Sequence, residues 1–467
     1  MSISPTVLLY TYCITAACFI LGVRYLGSPA TARRGNILAA AGMALALVIS
    51  TIALSSTLPW GIVIPAVILG GLIGAVSAKL VRMTAMPQMV ALFNGMGAGT
   101  ATLIGVIHIL TTVEGHPLNV GDMLSTALGA GIGSLSFTGS IIAYAKLQEL
   151  IKGRPITFPL QKPFNGVLLL IIIVLGILTG TSTASPDHAL FIAMVGVALI
   201  LGIMFVLPIG GADMPVVIAL LNSFTGLATA LTGFVLNNAI MIVGGTLVGA
   251  SGLILTQLMS KAMNRSITNI LFGAFGTIQS DSGSAISGDL TVRRTTVEDL
   301  AILCTYAQSV VIVPGYGLAV ARAQHEIKEI SDLLEERHVN VRYAIHPVAG
   351  RMPGHMNVLL AEANVPYTQL VEMDSINPDF PQTDVVIVIG ANDVVNPAAR
   401  TNHASPIYGM PILNVDQAKT VVVLKRSMNP GFAGIDNELF YRPNTMMLFG
   451  DAKATLTELV AAIKNVQ

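Results

Sequence analysis

The sequence predicts a membrane α-helical bundle of about nine transmembrane helices followed by a cytoplasmic α/β Rossmann-like domain with a parallel sheet. Three observations carry this. The chain of 467 residues is 53% hydrophobic and only 11% charged, too apolar for a water-soluble protein of that length. Its first 262 residues break into apolar runs of about the length that crosses a bilayer. After them, short β-branched runs alternate with helical patterns, as in a doubly wound sheet. The formal net charge of zero gives no electrostatic footprint for nucleic acid.

Spans fall near 5–23, 36–54, 60–78, 88–110, 122–144, 165–183, 188–208, 214–235 and 239–259. Charge sets their orientation, because cytoplasmic loops retain Lys and Arg. Arg24, Arg33 and Arg34 follow the first span, and Lys79 and Arg82 the third. Lys146, Lys152, Arg154 and Lys162 follow the fifth, and Lys261 and Arg265 the ninth. The opposite loops carry no basic residue, so the N-terminus is expected outside and the C-terminal region in the cytoplasm. With no basic region before the first apolar run and no small-residue cleavage site, that run reads as a retained span. Cys13, Cys18 and Cys304 have neither metal nor disulfide spacing.

Within the spans, Gly95, Gly97, Gly99, Gly129, Gly131, Gly133, Gly245 and Gly249 permit close helix contact. Polar residues are the informative exceptions, since each is costly in hydrocarbon unless paired or hydrated. Asn94 and His108 lie in the fourth span, Ser140 in the inner part of the fifth and Asn222 in the eighth. Asp213 stands at the cytoplasmic mouth of the eighth, where it could equally cap the helix. Taken singly, each fits helix-to-helix hydrogen bonding; together they outline a polar track. Asp213 and Asn222 are nine residues apart, on opposite faces of one helix.

Residues 263–305 are a connector between domain 1–262 and domain 306–467, small and polar around Gln279-Ser280-Asp281-Ser282-Gly283-Ser284, with a short helix expected near Glu298 and Asp299. Strands are expected at 309–313, 340–345, 368–373, 385–389, 412–415 and 420–424, and helices at 318–337, 356–363 and 452–464. Sites in such folds gather at the carboxyl ends of strands. The first strand runs into Pro314-Gly315-Tyr316-Gly317, a glycine turn that would let the backbone approach a pyrophosphate, although Val320 stands where such turns carry Gly or Ala. An ordinary glycine turn is the alternative. The second strand ends in His346, not in the carboxylate that usually bonds an NAD ribose, whereas Lys425, Arg426 and Ser427 end a later strand with two cations and a hydroxyl. That favours NADP over NAD. His346 and His355, nine residues apart across glycines and prolines, make a poor metal pair, and no metal site is expected.

The stretches Gly210-Gly211-Ala212-Asp213-Met214-Pro215, 314–320, 346–363, 390–399, 425–434 and Leu448-Phe449-Gly450-Asp451-Ala452-Lys453 closely resemble the β subunit of proton-translocating nicotinamide nucleotide transhydrogenase, most strongly over 205–467. The resemblance implies an NADP(H)-binding and proton-channel subunit, with hydride passing reversibly from NADH to NADP⁺ as protons move inward. It implies a partner, one or two α polypeptides that bind NAD(H) and add membrane helices, in a dimer of αβ units within the lipid of a bacterial inner membrane. By similarity, Gly315, Tyr316, Gly317, Ala319 and Val320 face the pyrophosphate, and Lys425, Arg426 and Ser427 the 2′-phosphate. Asp393 falls near the nicotinamide, with Tyr316 and Arg351 close by, and these three are the catalytic candidates. Gly390 and Asn392 belong to the same loop, Gly431, Phe432, Ala433 and Gly434 form a lid, and Asp451 and Ala452 complete the nucleotide set. Asn94, Ser140, Asp213 and Asn222 match membrane positions associated with proton passage. Asn94 is a departure, because several members carry histidine there and Asn cannot titrate. A partner-subunit histidine, water or His108 would take its place, the first being preferred. An NADP-sensing gated transporter or channel without catalysis would need the same parts, and the long motifs favour the enzyme; a reductase fused to a membrane anchor would not need nine tightly packed, glycine-rich spans.

Overall fold

The computed structural model describes residues 5–53, 58–111, 119–151, 156–181, 187–210, 213–263, 267, 291–352, 354–403, 405, 407–431 and 433–466. These form two compact units, one running to Gln257 and the other containing the sheet. The polar connector stretch 279–284 lies outside the described residues.

The first unit is helical: α1 (Pro5–Leu26), α2 (Pro29–Ala53), α3 (Trp60–Leu80), α4 (Met86–Leu110), α5 (Val120–Leu147), α6 (Gln161–Thr181), α7 (His188–Val206), α8 (Met214–Val235) and α9 (Ala239–Ala262). Among the described residues these are nine helices long and apolar enough to cross a membrane, and the chain is a multi-pass membrane protein. Each expected span falls on one of them. Side-chain caps satisfy some of the orphan amides at their starts. The Asn119 side chain accepts from Gly121 N–H at 2.7 Å, and Asp187 accepts from Ala189 and Leu190 at 3.0 and 3.2 Å. The apolar windows of α5 and α8 are 61% buried within the unit and that of α3 is 0% buried, so α5 and α8 form its middle. Small residues allow this. A Cβ on Gly226 of α8 would collide with the backbone of Gly249 in α9, which fixes how closely those two helices approach.

The second unit is a six-stranded parallel sheet in the order β3-β2-β1-β4-β5-β6, from β1 (Ser309–Pro314), β2 (Asn340–Ile345), β3 (Leu370–Glu372), β4 (Val385–Ile389), β5 (Thr420–Lys425) and β6 (Thr445–Phe449). Every residue of β4 is buried, as expected of a central strand covered on both faces. Val311, Val313, Val386, Val388, Val421 and Val423 form one core with Phe380 and Phe440. Each such side chain contributes roughly 1.5–3 kcal/mol by leaving water. The strand order reverses between β1 and β4, and this switch point is where a doubly wound sheet opens its crevice.

Two expectations are corrected, and one strand that sequence reading missed is added. The helix expected over 318–337 is two, α11 (Tyr316–Ala321) and α12 (Gln324–Glu335), following α10 (Val297–Thr305), the short helix expected near Glu298 and Asp299. Arg322 stands in the left-handed region at φ 52° and closes α11. The chain then restarts so that Ile327, Ile330 and Leu334 share the buried face of α12. The segment 412–415 is not a strand, although Ile412, Leu413 and Val415 are buried. Its polar groups are bonded elsewhere: Leu413 N–H donates to Val394 O at 2.9 Å, and the Asn377 side chain donates to Ile412 O at 3.0 Å. The sixth strand is instead β6, whose Thr-Met-Met-Leu-Phe run lacks the β-branched signature. Two further helices flank the sheet, α13 (His355–Glu362) and α14 (Ala452–Asn465), close to the expected 356–363 and 452–464.

Candidate functional site

The carboxyl ends of β1 and β4 meet through glycine. Gly315 N–H donates to Ile389 O at 2.8 Å and Gly317 N–H to Gly390 O at 3.1 Å, so the two turns are bonded backbone to backbone. Gly390 stands at φ 67°, a conformation that other residues resist, and a Cβ on Gly317 would lie 2.7 Å from Gly390 Cα. This close approach locks the two turns together at the switch point. The buried Ala319 faces inward from α11, while Val320 is 45% exposed.

Tyr316 follows Gly315 and begins α11. The Arg351 guanidinium lies 4.6 Å above its ring centroid, which brings together two of the three catalytic candidates. The third belongs to a neighbouring cluster. Asp393 Oδ2 accepts from Ala433 N–H at 3.0 Å, and a Cβ on Gly431 would sit 2.5 Å from Asp393 Oδ1, so Gly431 and Ala433 pack onto the β4 loop with no room for a side chain at Gly431. Gly434, at φ 69°, turns the loop back, its N–H donating to Gly431 O at 3.1 Å. Phe432 lies outside the described residues. Asn437 is a member that sequence reasoning missed. It is buried, its amide donates to both the main-chain and side-chain oxygens of Asn392 at 3.0 and 2.9 Å, and its own oxygen accepts from Leu439 N–H. An Asn just ahead of a short helix is an N-cap signal, and that signal could have found it.

Lys425, at the end of β5, rests on the Phe440 ring at 5.1 Å and donates to Asn429 O. Partial burial holds its ammonium below the usual lysine range, while Asp393 and Asp436 pull the other way. Arg426 and Ser427 are exposed on the next turn, where Ser427 Oγ accepts from Asn429 N–H at 3.4 Å. Gly450 N–H donates to Lys425 O at 3.1 Å, tying β6 to the same edge. There Asp451 caps α14 by accepting from Lys453 and Ala454, and Ala452 is that helix's first residue.

His346 ends β2 as expected, but as a buried support. Val348 N–H donates to its Nδ1 at 3.2 Å, which leaves Nε2 to donate to Pro411 O at 2.9 Å. Burial pushes the ring's pKa down to about 4, so it stays neutral at ordinary pH. Among the described residues no group of His, Cys, Asp or Glu could hold a metal ion.

In the helical unit, two of the polar-track residues meet. The Asn94 amide donates to Ser140 Oγ at 2.8 Å, with both residues buried between α4 and α5. Asn94 Oδ1 is buried and accepts nothing from the described residues. Asp213 occupies the N-cap position of α8 without a side-chain capping bond. Asn222 and His108 are half-buried, in α8 and α4 respectively. Ser136 was missed: its hydroxyl donates to Leu221 O and shares a hydrogen bond with Thr225, both at 2.8 Å, joining α5 to α8. So was the second role of Lys146, whose buried ammonium donates to Val206 O, Leu207 O and Ile209 O and caps the end of α7.

Residues 9–462 match the family model described as NAD(P) transhydrogenase beta subunit. The NAD(P) transhydrogenase subunit beta of Rhodospirillum rubrum is 47% identical over 462 residues, covering 97% of this chain and 98% of that protein. The same protein from a designated strain of that species matches equally, at 47% over 462 residues.

Proposed function

The chain belongs to the NAD(P) transhydrogenase beta subunit family, and on that premise we propose that it is the NADP(H)-binding and proton-conducting subunit of an energy-linked transhydrogenase. The observation that carries the nucleotide assignment is the glycine-lined junction of the β1 and β4 turns beside a strand end bearing Lys425, Arg426 and Ser427. The residues fit such a ligand. A side chain at Gly315, Gly317 or Gly390 would collide with the facing turn and force the junction apart, and the buried Asn392 Nδ2 has no acceptor among the described residues. The bound nucleotide supplies hydride chemistry at its nicotinamide. The chain's own residues bind, orient and exclude water. Gly315, Gly317, Ala319 and Val320 border the pyrophosphate, Lys425 and Arg426 with Ser427 hold the 2′-phosphate, and loop 431–434 covers the ligand. Asp393, Tyr316 and Arg351 lie at the nicotinamide end, and Asp451 with Ala452 completes the cradle. NADP is preferred to NAD because His346, at the end of β2, is buried and committed to Pro411 O, so no carboxylate is offered to a ribose 2′-hydroxyl there.

Proton passage is assigned to the helical unit through Asn94, Ser140, Asp213 and Asn222. Asn94 cannot titrate, and its unsatisfied Oδ1 suits a donor from a partner helix or a water. The partner is an α subunit, of one or two polypeptides, that binds NAD(H) and adds membrane helices; two αβ units form the assembly. The chain divides as 1–262 membrane domain, 263–305 connector and 306–467 nucleotide domain. It sits in a bacterial inner membrane with its N-terminus outside and its sheet in the cytoplasm. Protons moving inward drive hydride from NADH to NADP⁺ by altering the relative affinities for NADP⁺ and NADPH, and the linkage is reciprocal. Membrane vesicles carrying this chain with its α partner test the proposal, by NADPH-dependent reduction of an NAD analogue recorded together with internal pH. Hydride transfer that moves protons is the expected result. Tight NADPH binding without hydride transfer would contradict it and favour a nucleotide-sensing transporter.

A further inference from the structure

Between β2 and α13, residues 350–352 and 354 pack around one buried imidazole. His355 is 1% exposed, and its Nδ1 accepts from Arg351 N–H at 3.1 Å. Gly350 crosses the ring so closely, at φ 104°, that a Cβ there would lie 2.5 Å from His355 Nδ1. Gly354, at φ 69°, turns the chain into α13. The His355 backbone N–H in turn donates to Met352 O at 3.2 Å, so the imidazole is what these residues close upon. Burial and the adjacent Arg351 charge hold the ring below the usual histidine range, which favours the neutral form. With Nδ1 accepting, the proton of that neutral ring is on Nε2. Nε2 is buried and has no hydrogen-bond partner among the described residues. Leaving a buried donor unmet costs roughly 1–3 kcal/mol, so a smaller apolar residue would be the more stable choice if filling space were all that the position required.

The loop's outer side is the functional one. Arg351, whose backbone His355 holds, places its guanidinium 4.6 Å from the Tyr316 ring centroid, and the His355 ring centroid is 6.2 Å from the same ring. Three side chains, Tyr316 after β1, Arg351 after β2 and His355 at the start of α13, thus cluster beside Gly315. A guanidinium on a flexible loop would sample many positions; anchored through its own amide, it is presented in one.

We infer that His355 is a positioning residue of the nucleotide site: by accepting the Arg351 amide it fixes the loop that carries the Arg351 guanidinium onto Tyr316, with its Nε2–H reserved for an acceptor that arrives with the bound nucleotide or its water. This rests on the proposed NADP(H) site and adds a residue to it. Nothing in the inference requires His355 to exchange a proton.

Two substitutions separate this role from simple packing. His355→Phe keeps a planar ring and removes both nitrogens, whereas His355→Asn sacrifices ring volume and keeps an acceptor near Nδ1. NADPH binding to the detergent-solubilised full chain is measured by calorimetry, with the thermal midpoint of each variant recorded in parallel. The expected result is a loss of about tenfold or more in NADPH affinity for His355→Phe, with the affinity of His355→Asn within about threefold of wild type despite its larger packing defect. In vesicles with the α partner, His355→Phe should raise KM for NADPH while kcat at saturation changes less. If affinity instead follows thermal stability, with the Asn variant the weaker binder, the residue only packs and the inference fails. Unchanged affinity in His355→Phe also overturns it and leaves the NADP(H) assignment intact. A wild-type chain that binds no NADPH overturns that assignment, and this inference with it.

Discussion

The two units place polar chemistry in opposite ways. In the sheet, charged and glycine residues from the ends of five strands converge on one edge, and backbone contacts such as Gly317 N–H to Gly390 O set the spacing. Among the helices the polar contacts are local and mostly neutral, Asn94 with Ser140 and Ser136 with Thr225 and Leu221 O, the charged exception being Lys146 at the end of α7. Water and a parallel sheet allow a dense charged site, whereas hydrocarbon favours single satisfied hydrogen bonds spread between helices. The difference teaches where each unit is fragile. The sheet edge should fail at one atom, and the helical unit by degrees.

The largest effect is expected at the glycine junction. In Gly315→Ala the new methyl would collide with the Gly390 carbonyl and the Ala391 amide, both backbone atoms that cannot swing away. NADPH affinity should fall by at least about a hundredfold, read by calorimetry, with the helical content of the membrane unit unchanged by circular dichroism. Near-normal binding would show that the two turns are not rigidly joined.

A second prediction concerns His346, whose folded-state pKa of about 4 lies below the usual 6.5. Between those values the unfolded chain binds a proton that the folded chain refuses, so stability rises with pH across the window. The contribution is present above about pH 6.5 and is lost as pH falls towards 4, up to roughly 3 kcal/mol at 1.36 kcal/mol per pKa unit. Denaturant unfolding of the sheet unit in the full chain from pH 7 to pH 4 should show this slope, and His346→Gln should flatten it. The same slope in the variant would assign it to other groups.

The smallest effect belongs to the helices. A double-mutant cycle on Asn94→Ala and Ser140→Ala should give a coupling energy of only about 0.6 kcal/mol in membrane unfolding, typical for a hydrogen bond between spans. Proton movement should fall more than this stability change explains if the pair lies on the track. A stability loss with unaltered pumping would reduce the pair to packing.

The patterns that physics makes obligatory were legible in the sequence. All nine spans could be read because a bilayer demands apolar length, and the Gly315–Gly317 turn because only glycine permits that approach. β6 was hidden because Met446 and Met447 pack well in a strand without announcing one. The segment 412–415 misled in the other direction, being apolar and buried while its backbone bonds go to Val394 and Asn377. Partnerships across elements were illegible in principle: no spacing tells that Asn94 meets Ser140, that Asn437 holds Asn392, or that Lys146 reaches the end of α7. His346 was correctly noted as not acidic, but that it is a buried neutral support follows only from its neighbours.

The measurement that tests the account most directly is nucleotide discrimination. The full chain in detergent is titrated with NADPH and with NADH, as wild type and as Lys425→Ala/Arg426→Ala. Wild type should bind NADPH at least about a hundredfold more tightly, equivalent to roughly 2.7 kcal/mol, and the double variant should lose most of that ratio through weaker NADPH binding alone. Equal affinity for both nucleotides in wild type, or a ratio untouched by removing both cations, would contradict the assignment of the end of β5 as the 2′-phosphate site.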